Sequence, residues 1–200
     1  IEIVNFTPAR RNFKLLSGHT YFTRFFSSLE GVLVNHHSIA RGGQVYGAPF
    51  KRAVVDDEGT LRMNWWPGNE KMKHTPVPLA APARSDTPVT MLENTFDVTS
   101  GVILEGTLVL PVSGSTALTG LYVECANKEA VAIAVSSDGT VQLGPIRSDA
   151  SDFRPDKQVN REVAFRSPLP FRLLIEHSLL EFYLDDILME CYSLPAGATG

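Results

Sequence analysis

Phe171-Arg172-Leu173-Leu174-Ile175-Glu176-His177-Ser178-Leu179-Leu180-Glu181-Phe182-Tyr183-Leu184-Asp185-Asp186-Ile187-Leu188-Met189-Glu190-Cys191-Tyr192 is the stretch that decides the fold. It contains three short runs rich in aliphatic and aromatic residues: Phe171 to Glu176, Leu180 to Leu184, and Ile187 to Tyr192. Each has strand length and lies close to its neighbour. The last two are separated by Asp185-Asp186, a pair favoured in tight turns because Asp side chains bond nearby backbone N–H groups. Further upstream the same rhythm recurs in Val102 to Leu110, Leu121 to Cys125 and Ala130 to Val135. Ser136-Ser137-Asp138-Gly139 then turns the chain back into Val141-Gln142-Leu143, since Asp-Gly tolerates the positive φ of a hairpin turn. Many short strands at regular spacing predict an all-β fold, an antiparallel sandwich or a barrel. The polar segment Ser148 to Arg161 reads as a long surface connection.

The first third has a different texture. Tyr21, Phe22, Phe25, Phe26 and Leu29 fit one face of a helix as well as two strands. Gly31 to Asn35 reads as a strand. Lys51 to Val55 and Thr60 to Trp66 read as a hairpin around Asp56-Asp57-Glu58-Gly59. Between the halves, His74 to Pro88 holds Pro76, Pro78, Pro82 and Pro88, and proline removes backbone donors and stiffens the chain. The expected division is therefore residues 1–80, a proline-rich linker over 81–88, and a β-sandwich over 89–200.

Composition limits the functional classes. Of 200 residues, 44% are hydrophobic and 20% charged, enough to bury a core. With 18 basic against 22 acidic residues the formal charge is −4, which argues against a nucleic-acid partner and against a polybasic membrane surface. No apolar run is long enough to span a bilayer as a helix. The chain opens on Ile1-Glu2-Ile3-Val4, without a methionine or a charged-then-apolar leader, and so reads as a processed chain or an excised fragment. Cys125 and Cys191 read as two buried strand thiols, with a single disulfide as the other reading. Neither has histidines at zinc-ligand spacing, so no metal and no cofactor is expected.

Three residues stand out as carbohydrate contacts. Trp65 and Trp66 are adjacent, so on a strand they project to opposite faces. An outward indole can stack on the apolar face of a sugar, or seal a contact with another domain or chain. His36 and His37 are likewise split between faces, which prevents their joint ligation of one ion; the pair reads as structural or surface histidines, with His36 as the substrate-facing candidate. The carboxylate clusters Asp56-Asp57-Glu58 and Asp185-Asp186 have the residue type of glycosidase pairs but sit at turns, where Asp is structural. Glu176 and Glu181 lie in neighbouring strands and can face each other, where like charges repel. No G-x-S-x-G elbow, P-loop or H-E-x-x-H occurs, so the chain does not carry a complete active site of those kinds.

Gly47-Ala48-Pro49-Phe50-Lys51-Arg52-Ala53-Val54-Val55-Asp56-Asp57-Glu58-Gly59-Thr60-Leu61, followed by Trp66-Pro67-Gly68-Asn69-Glu70-Lys71-Met72-Lys73, resembles the end of the catalytic propeller in glycoside hydrolase family 32 and its relatives. Phe171 to Asp186 resembles the late hairpin of that family's C-terminal β-sandwich, and the order of propeller end, linker and sandwich is the same. The departures are specific. Pro49-Phe50-Lys51-Arg52 stands where the family has Pro-Arg-Glu-Leu, and the family's Asn-Asp-Pro-Asn and Arg-Asp-Pro strings do not occur. Glu124-Cys125 matches the letters of the acid motif but falls within a sandwich strand, so no catalytic residue is carried over.

The resemblance implies an all-β protein in which an antiparallel, concanavalin-like β-sandwich follows the terminal strands of a five-bladed propeller. It implies hydrolysis or transfer of a fructosyl or related group by two carboxylates on an N-terminal catalytic chain or segment of the same precursor. This chain would then complete and brace the propeller, with Trp65, Trp66 or His36 touching the carbohydrate. The competing expectations are a self-contained lectin-like sandwich, in which the first third pairs with the sandwich sheets, and a purely structural or oligomerising module.

Overall fold

A computed structural model describes residues 15–16, 20–39, 43–79, 95–125, 129–147 and 151–195. Their strands, in chain order, are β1 (Thr20–Ser28), β2 (Gly31–Ile39), β3 (Val45–Gly47), β4 (Lys51–Val55), β5 (Leu61–Trp65), β6 (Val102–Leu108), β7 (Thr119–Glu124), β8 (Ala130–Val135), β9 (Val141–Ile146), β10 (Lys157–Val159), β11 (Leu169–Glu176), β12 (Leu179–Leu184) and β13 (Ile187–Ser193). The described residues also form two 3-10 helices, Pro67–Met72 and Val98–Ser100. The all-β, antiparallel reading is correct.

The strands form two sheets. One has nine strands in the order β1-β2-β4-β5-β13-β12-β11-β6, with β3 also paired to β2; the other is β10-β9-β8-β7. The turns follow local chemistry. Asp185 and Asp186 both take positive φ, 47° and 62°, the geometry a two-residue hairpin needs. At the β4–β5 turn the Asp56 carboxylate accepts the Glu58 and Thr60 N–H groups, which spends the acidic residue on the backbone.

The four-stranded sheet packs against β6, β11, β12 and β13. Val131, Ile133, Val135, Val141 and Leu143 meet Leu173, Ile175, Leu180, Phe182, Leu184 and Met189 in one apolar core. Burying each such side chain stabilises the fold by roughly 1.5–3 kcal/mol. Strand β12 is covered on both faces. Its alternate residues Leu180, Phe182 and Leu184 enter this core, while Leu179 and Tyr183 enter a second. The second core also contains Val34, Ala48, Met63 and Trp65 from the first third, and Leu174, Leu188 and Cys191 from the sandwich. The first third thus lies against the outer face of the sandwich while continuing its sheet. The junction is narrow: Ile187 pairs with Asn64, and the Trp65 N–H donates to the Asp186 carbonyl.

The first third is a meander of β1, β2, β4 and β5, each antiparallel to the next. The ambiguous aromatic run is one strand, not a helix. Because side chains alternate along β1, its aromatics divide between both faces, and Tyr21, Phe22, Phe25 and Phe26 remain 42–68% exposed. Among the described residues β1 is an edge strand, paired with β2 alone.

Several local readings change or close. Cys125 and Cys191 are both buried and neither is in a disulfide, so the thiol reading holds and the disulfide reading does not. The Ser148 to Arg161 connection is not wholly superficial. Within it β10 pairs with β9, and Arg161 is buried with its Nη2 donating to the Met189 carbonyl at 2.7 Å. Glu176 and Glu181 do not oppose each other: Glu176 lies opposite Leu179, and Glu181 lies between Leu174 and Cys191. The proline-rich linker at 81–88 lies outside the described residues.

Candidate functional site

A charged residue in the middle of Leu179-Leu180-Glu181-Phe182-Tyr183-Leu184 must find partners or be excluded from the core. Glu181 is fully buried and has a partner on every side. Its Oε1 accepts Lys51 Nζ at 2.5 Å and lies 3.0 Å from His36 Nε2, with Cys191 Sγ at 3.6 Å. Its Oε2 accepts the Tyr183 hydroxyl at 2.7 Å. Lys51 Nζ also donates to the Pro49 carbonyl at 2.9 Å, and His36 Nδ1 lies 3.4 Å from Ser38 Oγ. His36, Lys51 and Glu181 are all 0% exposed.

The elements place these groups by register. Lys51 opens β4 directly opposite Trp65 of β5, so both face the second core. Glu181 on β12 is opposite Cys191 on β13. Leu188 and Cys191 are three residues apart, yet both enter the second core, because the β12–β13 register shifts beside Phe182 and Tyr183. Val34 and His36 alternate inward on β2.

Electrostatics fix the protonation pattern. Burial alone would raise the Glu181 pKa, but the Lys51 charge and the His36 hydrogen bond overcome it and hold the carboxyl at about 2. Burial, followed by the nearby Lys51 charge, lowers the His36 pKa and favours neutral imidazole. Burial and the Glu181 charge push the Tyr183 phenol well up. The cluster is therefore a compensated Lys51–Glu181 ion pair ringed by neutral donors. It is a closed joint between the first third and the sandwich; a Cys191–His36 pair at 3.8 Å resembles a nucleophile and base, but no substrate reaches atoms with no exposed surface.

The three predicted carbohydrate contacts are not brought together. His36 lies in this joint and offers no face to a carbohydrate. Trp65 is 4% exposed, set edge-on to Tyr183, with the Arg172 guanidinium 4.4 Å over its ring and its Nε1 donating to Glu70 Oε1 at 2.9 Å. Trp65 thus packs within the chain, in the core that joins the first third to the sandwich. Trp66 is half-buried. Its ring folds over Gly68, where a Cβ would come within 2.3 Å of it, and its Nε1 donates to Glu30 Oε2. Trp66, Phe50 and Phe26 form a row of edge-on rings with centroids 5.8 and 5.6 Å apart.

Around Trp65 lies a network that the sequence did not indicate. Arg172 binds Glu105 at 2.7 Å and Asp186 at 2.6 Å, while Lys73 binds Glu70 at 2.6 Å and Glu105 at 2.8 Å. The Asp185-Asp186 turn thus supplies one anchor of a surface ion network between the Pro67–Met72 helix and the sandwich. Comparison with protein-family models and with curated proteins finds no match to this chain.

Proposed function

We propose that this chain is the C-terminal, non-catalytic part of a family-32-like glycoside hydrolase, acting on fructosyl or related bonds, whose sandwich braces the last blade of a propeller. The observation that carries the reading is the first-third meander. It has four principal antiparallel strands, the unit from which propellers are built, and its edge strand exposes aromatics on both faces. A sheet that packs between two neighbours needs two apolar faces, whereas a sheet with one solvent face does not. The catalytic carboxylates belong to polypeptide outside this chain, and this chain's contribution is rigidity through the buried joint.

The test is to express the longest gene product containing these residues, with and without them, and to assay sucrose, inulin and levan hydrolysis. Activity in the long product that is lost or heat-sensitive on removal of this chain is the expected result. A long product without glycosidase activity overturns the reading. A second reading, a self-contained carbohydrate-binding sandwich, is favoured by the continuation of the sandwich sheet through β13 and β5. It requires the isolated chain to bind glycans in calorimetry and to lose binding on Trp66→Ala.

A further inference from the structure

His36 Nε2, Glu181 Oε1 and Cys191 Sγ stand at the corners of a triangle with sides of 3.0, 3.6 and 3.8 Å. They come from three strands, β2, β12 and β13, and all three residues are buried. The point equidistant from the three atoms lies about 2.0 Å from each, the length of a metal–nitrogen or metal–oxygen bond and slightly short of a metal–sulfur bond. Imidazole and thiolate together select soft, thiophilic cations.

Charge narrows the choice. Lys51 already neutralises Glu181 at 2.5 Å. A divalent ion that displaced only the thiol proton would leave one uncompensated positive charge in the apolar interior, a state proteins avoid. A monovalent ion that takes the place of that proton leaves the net charge unchanged. We propose that His36, Glu181 and Cys191 form a three-coordinate site for a monovalent thiophilic cation, Cu(I), bound in place of the Cys191 thiol proton.

The step balances without redox chemistry. The Cys191 S–H bond breaks, a Cu–S bond forms, and the proton passes to solvent. His36 turns its Nε2 lone pair to the ion and carries its proton on Nδ1, where Ser38 Oγ at 3.4 Å accepts it as an outer partner. Lys51 keeps its bonds to Glu181 and the Pro49 carbonyl. His36, Glu181 and Cys191 have no exposed surface, so the ion is bound as the joint closes during folding.

The experiment uses the purified chain, refolded anaerobically with Cu(I) or with redox-inert Ag(I), desalted against a competing thiol and measured for bound metal and thiolate-to-metal absorption. Wild type and Cys125→Ser are expected to retain one ion per chain with the thiolate band. Cys191→Ser, an isosteric change whose folding circular dichroism checks, loses retention by at least the roughly tenfold that even an outer-shell change costs. Lys51→Met removes the resident cation and shifts preference toward Zn(II). No retained ion in wild type, equal retention in Cys191→Ser, or loss in Cys125→Ser overturns the proposal.

Discussion

Glu181 is the residue on which the joint depends, because a carboxylate with no exposed surface is tolerable only while Lys51 faces it. Removing one partner strands the other. Lys51→Met and Glu181→Leu are each expected to destabilise the chain by about 3–5 kcal/mol, the usual penalty for an unpaired buried charge. The double variant Lys51→Met with Glu181→Leu replaces both charges by apolar groups of similar size, so it should cost much less than the sum of the singles. Urea unfolding of the four species closes the cycle. Additive losses would show that the pair is not coupled and that the 2.5 Å contact does not govern stability.

At the scale of strands and turns, the sandwich was legible because β8, β9, β11, β12 and β13 announce themselves by short apolar runs and by turns such as Asp138-Gly139 and Asp185-Asp186. The aromatic run of β1 was not legible, since Tyr21, Phe22, Phe25 and Phe26 occur at spacings that a helix and a strand both satisfy. Only the pairing with β2 decides it. The joint was hidden for a different reason. Lys51 and Glu181 are 130 residues apart, and the register shift in β13 breaks the alternation that would otherwise assign Cys191 a face. The signal available was Glu181 itself, a charge inside an apolar strand. Close pairing also leaves a testable mark. A Cβ on Gly120 of β7 would fall 1.9 Å from the Ile133 carbonyl oxygen of β8, whereas one on Gly47 of β3 meets nothing within 4 Å. Gly120→Ala must therefore push the two strands apart, with a loss of more than about 4 kcal/mol, among the largest for single changes. Gly47→Ala should stay within about 0.5 kcal/mol of wild type. Thermal or urea melts of the two alanine variants separate them, and equal stabilities would contradict the close β7–β8 approach.

Across the whole molecule, two surfaces set how the first third and the sandwich behave together. The Glu70–Lys73–Glu105–Arg172–Asp186 network spans them. Its hydrogen bonds to Lys73 lower the Glu70 pKa, and for Glu105 the bonds to Lys73 and Arg172 overcome the opposing effect of burial. A depressed folded pKa means that the unfolded chain binds more protons, so this stabilisation is present above the ordinary carboxylate range and is lost as pH falls through the folded values. The groups are partly exposed, so each pair contributes under about 1 kcal/mol, and high salt should reduce the loss seen in urea melts on acidification. A pH dependence unaltered by Glu105→Gln would contradict this origin. The second surface is β1. Tyr21 and Phe25 are 68% and 65% exposed on a strand that is an edge among the described residues, and Leu29 at the following turn is fully exposed. An aromatic edge of this kind templates pairing with another strand, and natural edges suppress it with charge. Arg24 is the one charged residue within β1, and its guanidinium lies 5.1 Å over the Phe22 ring. The isolated chain should therefore associate as its concentration rises, and sedimentation velocity should show a growing larger species. Tyr21→Lys with Phe25→Lys puts two charges on the exposed edge without touching the buried joint, so it should restore a monomer of unchanged melting temperature. A wild-type chain that stays monomeric across the range would mean that the β1 edge does not act as a strand-pairing surface and would remove the physical reason for expecting a partner on it.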